Sequence, residues 1–168
     1  TLPQVHVLGR GQVMHVSPDY SVLIDYAHNG VSFESIISTV EQYNPNKLIV
    51  VYGSGGKRSK TRRYESGEVV AKHGGYSILT ADNPRGEKIV DICKDIVVGI
   101  DKYHGEYTII PDRKEAIYHA LDMACKGDVV LLLGKGHETY MLGEDEVTRH
   151  FSETEVLEEY KKERGLNA

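Results

Sequence analysis

The sequence predicts an α/β domain of three layers, with helices on both faces of a mostly parallel sheet of about six strands. Three observations predict it: short apolar runs recur along the chain, helix-period segments separate them, and polar clusters follow the runs. The strand-like runs are 21–26, Leu48–Tyr52, 76–80, 107–110 and Val129–Leu133. LIVVY and VVLLL are nearly unbroken, as expected for strands buried on both faces. In 31–43, Val31, Ile36, Ile37, Val40 and Tyr43 recur at helical spacing, with Ser32 as a candidate cap. Segment 63–73 is a second helix, and 86–100 a third, striped by Ile89, Ile92, Cys93, Ile96, Val97 and Ile100. Segment 112–124 opens with Asp112 and has Glu115 at capping-box spacing. At the ends, 5–16 reads as a lead-in with a short strand. Residues 141–150, broken by Gly143-Glu144-Asp145, read as an antiparallel hairpin, and Glu153–Glu163 as a charged terminal helix.

A length of 168 residues suffices for one core, since a domain of about 150 residues buries roughly 68–70% of its unfolded surface. One domain over 1–168 is therefore expected. The 25 acidic and 20 basic side chains give a net charge of -5, with no face devoted to Lys and Arg, which disfavours nucleic acid as a partner. Apolar runs fall far short of the 18 or more residues that cross a bilayer, and neither a membrane segment nor a signal peptide is expected. Cys93 and Cys125 both fall in helix-like apolar patterns. They read as buried free thiols, which suits a reducing, cytoplasmic setting. The eight histidines include no HxxxH or HxH arrangement and no Cys-x-x-Cys accompanies them, so no metal site is expected.

In an open parallel sheet, ligands bind beyond the carboxyl ends of the strands, and the polar clusters occupy those positions. They are Asp25 to Gly30, Gly53 to Arg63, Asp82 to Glu87 and Gly134 to Glu138. Gly53 to Arg63 joins glycines to five basic side chains. It is either an anion-contacting loop or a solvated turn, and it matches neither the Walker nor the Gly-x-Gly-x-x-Gly spacing. In Asp82-Asn83-Pro84-Arg85, Pro84 stiffens the turn and biases Asn83 away from αR, while Arg85 offers a planar fork for a carboxylate; a plain Asx-Pro turn is the alternative. Asp25 and His28 read as a strand-end cap and a surface histidine, or as contacts to a sugar diol. Glu138, beside Lys135 and His137, fits either acid–base work or the binding of an ammonium group.

Taken together, these loops resemble the carboxyl-terminal domain of the Mur ligases, the ATP-dependent ligases that build the peptide of peptidoglycan. The resemblance is carried by Asp25-Tyr26-Ala27-His28, by Tyr52 to Arg58 with Arg62-Arg63, by Thr80 to Glu87, by Asp112-Arg113 with Ala116-Ile117, and by Gly134 to Glu138. It runs in order from Gly9-Arg10 to the terminal helix. It implies a Rossmann-like three-layer fold and an amide-bond ligase working through an acyl phosphate. It also implies ATP and Mg2+ held mainly by a central domain, with 1–18 as the segment following that domain. Arg10 would reach the ATP phosphates, Asp25 would bind the ribose, and His28 would order the nucleotide-facing loop. Arg62, Asp82, Asn83, Arg85, Gly134 and Glu138 would cradle the acceptor amino acid. The Asp-Asn-Pro-Arg form resembles members that add meso-diaminopimelate to UDP-N-acetylmuramoyl-L-alanyl-D-glutamate. The implied partners are that nucleotide, the amino acid, and the central and amino-terminal domains of one monomeric enzyme. Alternatives are a non-catalytic amino-acid or nucleotide binding module, or a Mur or folylpolyglutamate type of ligase with another acceptor. The sequence departs from the family pattern at Asn29, Gly30, Ser59, Tyr64 and Ile89.

Overall fold

The computed structural model describes residues 11–166. The chain enters through β1 (Gln12–Met14), turns into β2 (Ser21–Asp25), and continues as α1 (Gly30–Glu41), β3 (Leu48–Tyr52), α2 (Lys60–Lys72) and β4 (Tyr76–Leu79). It then forms α3 (Ile89–Asp101), β5 (Tyr107–Ile109), α4 (Arg113–Met123) and β6 (Val129–Leu133), followed by a hairpin of β7 (Tyr140–Leu142) and β8 (Thr148–His150) and by α5 (Glu153–Glu163). The six-stranded sheet has the order β1-β2-β6-β3-β4-β5, and only β1 is antiparallel to its neighbour.

Alternation along the strands creates two cores. Leu23, Val50, Leu79, Leu131 and Leu133 pack with Phe33, Ile37, Val70, Ile96 and Ile100 of α1, α2 and α3. Val22, Ile24, Ile49, Val51, Val130 and Leu132 point the other way, against Ile117, Leu121, Val156 and Leu157 of α4 and α5. β2, β3 and β6 are buried throughout, and the nearly unbroken apolar sequence of β3 and β6 follows from having a helical layer on each side. After three helices on one face, the chain crosses by α4 and inserts β6 between β2 and β3. The turn that follows β6 is thereby set between the turns that follow its two neighbours.

Helix starts explain most of the sequence departures. Asn29, not Ser32, caps α1: its Oδ1 accepts the Ser32 N–H at 2.9 Å, and Ser32 Oγ accepts the Asn29 N–H at 3.2 Å. Ser32 is thus the N3 half of a capping box. Ser59 caps α2 by accepting the Thr61 N–H at 3.2 Å, so that helix starts at Lys60, three residues before the expected start. Ile89 is the first residue of α3, a position that proline also occupies readily because its N–H has no intrahelical partner. Asp112 caps α4 as expected, accepting the Glu115 N–H at 3.0 Å.

Cys93 is buried on α3, and burial pushes its thiol pKa up to about 12. Cys125 is exposed, contrary to the expected burial. The helix ends at Met123 and Ala124 turns extended, which carries Cys125 into a surface turn closed by Asp128. Among the described residues, no helix is long and apolar enough to cross a membrane.

Helices α2 and α3 cross at reciprocal glycines. A Cβ on Gly67 would lie 2.3 Å from the Ile96 carbonyl oxygen, and one on Gly99 would lie 1.9 Å from that of Tyr64. An alanine at position 99 gains helix propensity but must force the backbones apart. Gly99→Ala should therefore lower unfolding stability by about 1–3 kcal/mol, measured by urea denaturation; a neutral or stabilising result contradicts the crossing.

Candidate functional site

Four carboxyl-end turns meet in a cleft of about 710 Å³. The turn after β2 supplies Tyr26 and His28, and the turn after β3 supplies Gly53, Ser54, Gly55 and Arg58, with Arg62 from the first turn of α2. The turn after β4 adds Asp82, Asn83 and Arg85; the turn after β6 adds Gly134, His137 and Glu138. All six residues expected around an acceptor amino acid therefore line one cavity. Arg58, Arg62 and Arg85 bring positive charge to its wall, and Asp82 and Glu138 bring negative charge.

The Asp82–Glu87 turn is held in an unusual shape. Asn83 and Arg85 have φ of 47° and 48°, a left-handed conformation that costs about 1–3 kcal/mol per non-glycine residue and persists only where neighbours enforce it. The Gly56 N–H donates to the Asn83 carbonyl at 2.9 Å. From the other side the hairpin is docked through Arg85 N–H to the Leu142 carbonyl at 3.3 Å, Gly86 N–H to the Gly143 carbonyl at 3.2 Å, and Leu142 N–H to Asn83 Oδ1 at 2.9 Å. Arg85 then lays its guanidinium over the carbonyls of Gly56 and Asn83, both at 3.4 Å. These long contacts to neutral acceptors leave its charge available to an anion.

Gly134 is favoured by its backbone. Its φ is 109°, which strains any other residue, and a Cβ there would lie 2.3 Å from Asp82 Oδ2, so a larger residue would also displace that carboxylate where the turn after β6 meets the turn after β4. Glu138 accepts from Asn83 Nδ2 at 3.4 Å, and its Oε1 lies 2.9 Å from Lys135 Nζ.

Asp25 and His28 also border a second cleft of about 540 Å³, with Asn29, Val31, Ser32, Ser35 and Ile36. Asp25 is buried and its Oδ2 accepts the Ala27 N–H at 2.8 Å, so it shapes the turn as well as facing this cleft. His28 Nδ1 lies 2.9 Å from the Tyr26 carbonyl. That contact requires the proton on Nδ1 and turns Nε2 outward. His28 lines both clefts. Arg10 lies outside the described residues. Among the described residues, no group of three or more His, Cys, Asp or Glu side chains is placed to hold a metal ion.

Three buried cations that the sequence analysis named only as neighbours or motif residues, without a place in the site, hold these turns. Arg113 donates to the Ala81 carbonyl at 2.9 Å, the Leu133 carbonyl at 2.9 Å and Glu153 Oε2 at 2.8 Å. Burial pushes the Glu153 carboxyl above the usual carboxylate range, and the Arg113 guanidinium opposes that shift. Arg63 ties Asp95 at 2.9 Å, Glu87 at 3.0 Å and the Gly55 carbonyl at 3.4 Å. Lys135 has no solvent exposure. The one available signal was placement: each follows a strand end or a helix start where a basic side chain can reach loose carbonyls.

The Mur ligase, glutamate ligase domain family matches residues 9–136. The UDP-N-acetylmuramoyl-L-alanyl-D-glutamate--2,6-diaminopimelate ligase of Caldanaerobacter subterraneus subsp. tengcongensis is 42% identical over 158 residues, covering 94% of this chain and 33% of that protein. The enzyme of the same name from Clostridium perfringens is 44% identical over 138 residues, covering 82% of this chain and 28% of that one. A solved structure of a UDP-N-acetylmuramoyl-L-alanyl-D-glutamate--2,6-diaminopimelate ligase superposes with a TM-score of 0.85 at 31% identity, over 94% of this chain and 32% of the other. The chain thus spans about a third of the length of the curated relatives it matches.

Glu87 couples two of the cleft turns, through Arg63 and through the Lys57 N–H. The Lys57 N–H, aided by Arg63, holds its carboxyl below the ordinary value of 4.5, against the effect of burial. A lowered carboxylate pKa contributes stability above the unfolded value and loses it as pH falls through the folded one. Glu87→Gln should therefore unfold at lower urea than the parent at neutral pH and lose less stability between about pH 5 and pH 3. Equal acid sensitivity in the two proteins would count against this coupling.

Proposed function

The chain belongs to the Mur ligase family, matching its glutamate ligase domain, and on that premise we propose that it is the carboxyl-terminal domain of an ATP-dependent amide-bond ligase that presents meso-diaminopimelate to UDP-N-acetylmuramoyl-L-alanyl-D-glutamate. One observation carries the acceptor assignment: all six expected residues line one cleft, with guanidinium groups from Arg58, Arg62 and Arg85 and carboxylates from Asp82 and Glu138. A diamino dicarboxylic acid supplies carboxylates for the arginines and ammonium groups for the acids. Lysine has one carboxylate fewer and would leave part of the cationic wall unpaired.

In this reading Arg85 grips the distal carboxylate with Asn83 beside it, and Arg62 meets the other carboxylate. Asp82 and Glu138 receive ammonium groups, and Gly134 lets the ligand approach the backbone. The second cleft, bounded by Asp25 and His28, forms the nucleotide-facing lip, and the family resemblance assigns Arg10 to the ATP phosphates. ATP activates the substrate carboxylate as an acyl phosphate, which the amine then attacks with loss of phosphate. The ATP phosphates and magnesium are assigned to the central domain of the full-length protein, and the nucleotide sugar mainly to the amino-terminal one. This chain binds, orients and shields the acceptor. Two-thirds of the relatives' length lies outside the chain, so the domain works only when closure over the central domain excludes water and aligns the amine.

Phosphate release by the full-length protein, with UDP-muramoyl dipeptide, ATP and either diaminopimelate or lysine, tests the assignment. Diaminopimelate should be the better acceptor. Arg85→Ala should raise its KM more than about 10-fold, the equivalent of roughly 1.4 kcal/mol; unchanged KM and kcat would remove Arg85 from the site. The 168-residue chain alone should release no phosphate above background, and measurable turnover by it would overturn the division of labour between domains.

A further inference from the structure

Lys135 sits in the turn after β6 with no solvent exposure. Its Nζ donates to Asn83 Oδ1 at 3.1 Å and to the Tyr140 carbonyl, and lies 2.9 Å from Glu138 Oε1. An ammonium group has three N–H bonds, and three acceptors surround this one. Burial of a cation is tolerated where its donors are satisfied in this way. The acceptors belong to three different parts of the cleft: Asn83 to the turn after β4, Glu138 to the turn after β6, and Tyr140 to the docked hairpin.

The contacts decide which chemistry each neighbour offers a ligand. Asn83 Oδ1 accepts from both Lys135 Nζ and the Leu142 N–H at 2.9 Å. Both acceptor directions of that oxygen are then taken, so the amide NH2 must face the other way, where Nδ2 lies 3.4 Å from Glu138 Oε1. A flipped amide would set its NH2 against an ammonium and a backbone N–H, donor against donor. Glu138 makes both of these contacts with Oε1, which leaves Oε2 as the oxygen it can offer the cleft.

We propose that Lys135 is a positioning residue that sets the polarity of the acceptor cleft. It keeps the Asn83 NH2 as a donor to a ligand carboxylate and Glu138 Oε2 as a charged acceptor for a ligand ammonium. Without it, the Leu142 N–H alone opposes a flip of the Asn83 amide and Glu138 keeps only its 3.4 Å contact with Asn83, so recognition of a zwitterion loses much of its sense of direction. The inference rests on the ligase reading above but concerns a residue with no ligand contact of its own.

The test uses the full-length protein and steady-state kinetics in each substrate separately. Lys135→Met should raise the KM for the acceptor amino acid at least 10-fold, leave the KM for ATP within twofold, and reduce the preference for diaminopimelate over lysine at least fivefold. In Lys135→Ala, added propylammonium chloride should restore kcat/KM at least threefold relative to the same concentration of sodium chloride. Constants for amino acid and ATP that rise together, or that both stay unchanged, overturn the proposal. If the variants do not fold, the parent protein is followed by 15N-detected NMR of lysine ammonium groups. One slowly exchanging signal should move as diaminopimelate is added, and no such movement overturns the proposal equally. Turnover by the parent tests the ligase reading on its own: use of lysine instead refutes the acceptor assignment and leaves Lys135 to be judged on the lysine KM. A parent that ligates neither amino acid refutes both.

Discussion

Arg113 places one guanidinium between the carbonyls of Ala81 and Leu133 and pairs its remaining edge with Glu153. Those carbonyls immediately precede Asp82 and Gly134, where the turns after β4 and β6 begin. The two strands are not neighbours, because β3 runs between them, and no ladder hydrogen bond can set the spacing of their ends. A side chain sets it instead. Hydrogen bonds from a charged donor contribute about 1.5–3 kcal/mol each, and removing one partner of a buried ion pair costs about 3–5 kcal/mol. Side-chain exposures of 1% and 0% for Arg113 and Glu153 put this pair in the buried regime. The cleft therefore inherits its width from an interaction that no ligand touches.

Around that strut the turns are held from opposite sides. Gly56 grips the Asp82–Glu87 turn from the β3 side and the β7–β8 hairpin grips it from the other, which is how two consecutive polar positions, Asn83 and Arg85, are kept at positive φ. Arg63 performs a similar office for the glycine-rich loop by reaching Gly55, Glu87 and Asp95. The cleft-lining groups thus stand on well-bonded supports although every one of them lies in or beside a turn, and such supports are what a recognition site needs to hold distances within fractions of an ångström.

Much of this was legible in the amino-acid order because it depends on local chemistry. Apolar runs declared the strands, helical periodicity declared the layers, and Gly143-Glu144-Asp145 declared the hairpin. The polar clusters at strand ends declared the cleft, and the six residues expected around an amino acid all stand on its wall. What could not be read locally involves partners distant in sequence. Arg113 meets Glu153 across 40 residues and Lys135 meets Asn83 across 52, and nothing in a lone basic residue announces that its charge will be buried. The helix starts show a subtler competition, since Asn29 and Ser32 are both good caps and geometry chose the earlier one. Cys125 was misplaced for the opposite reason: the apolar pattern continued past the point where the backbone left the helix.

The insertion of β6 between β2 and β3 also imposes an order of events during synthesis. The ribosome delivers β2 and β3 long before residues 129–133, so those two strands emerge with a vacancy between them and cannot pair with each other in the native register. Until the last parallel strand arrives, each presents an open, strongly apolar edge, the kind of surface that recruits other chains. Completion of the sheet and formation of the cleft are then one step, taken late. A nascent chain interrupted before that strand keeps its helical patterns but lacks the turn that completes the cleft, so quality control that detects open strand edges is at the same time detecting an unfinished cleft.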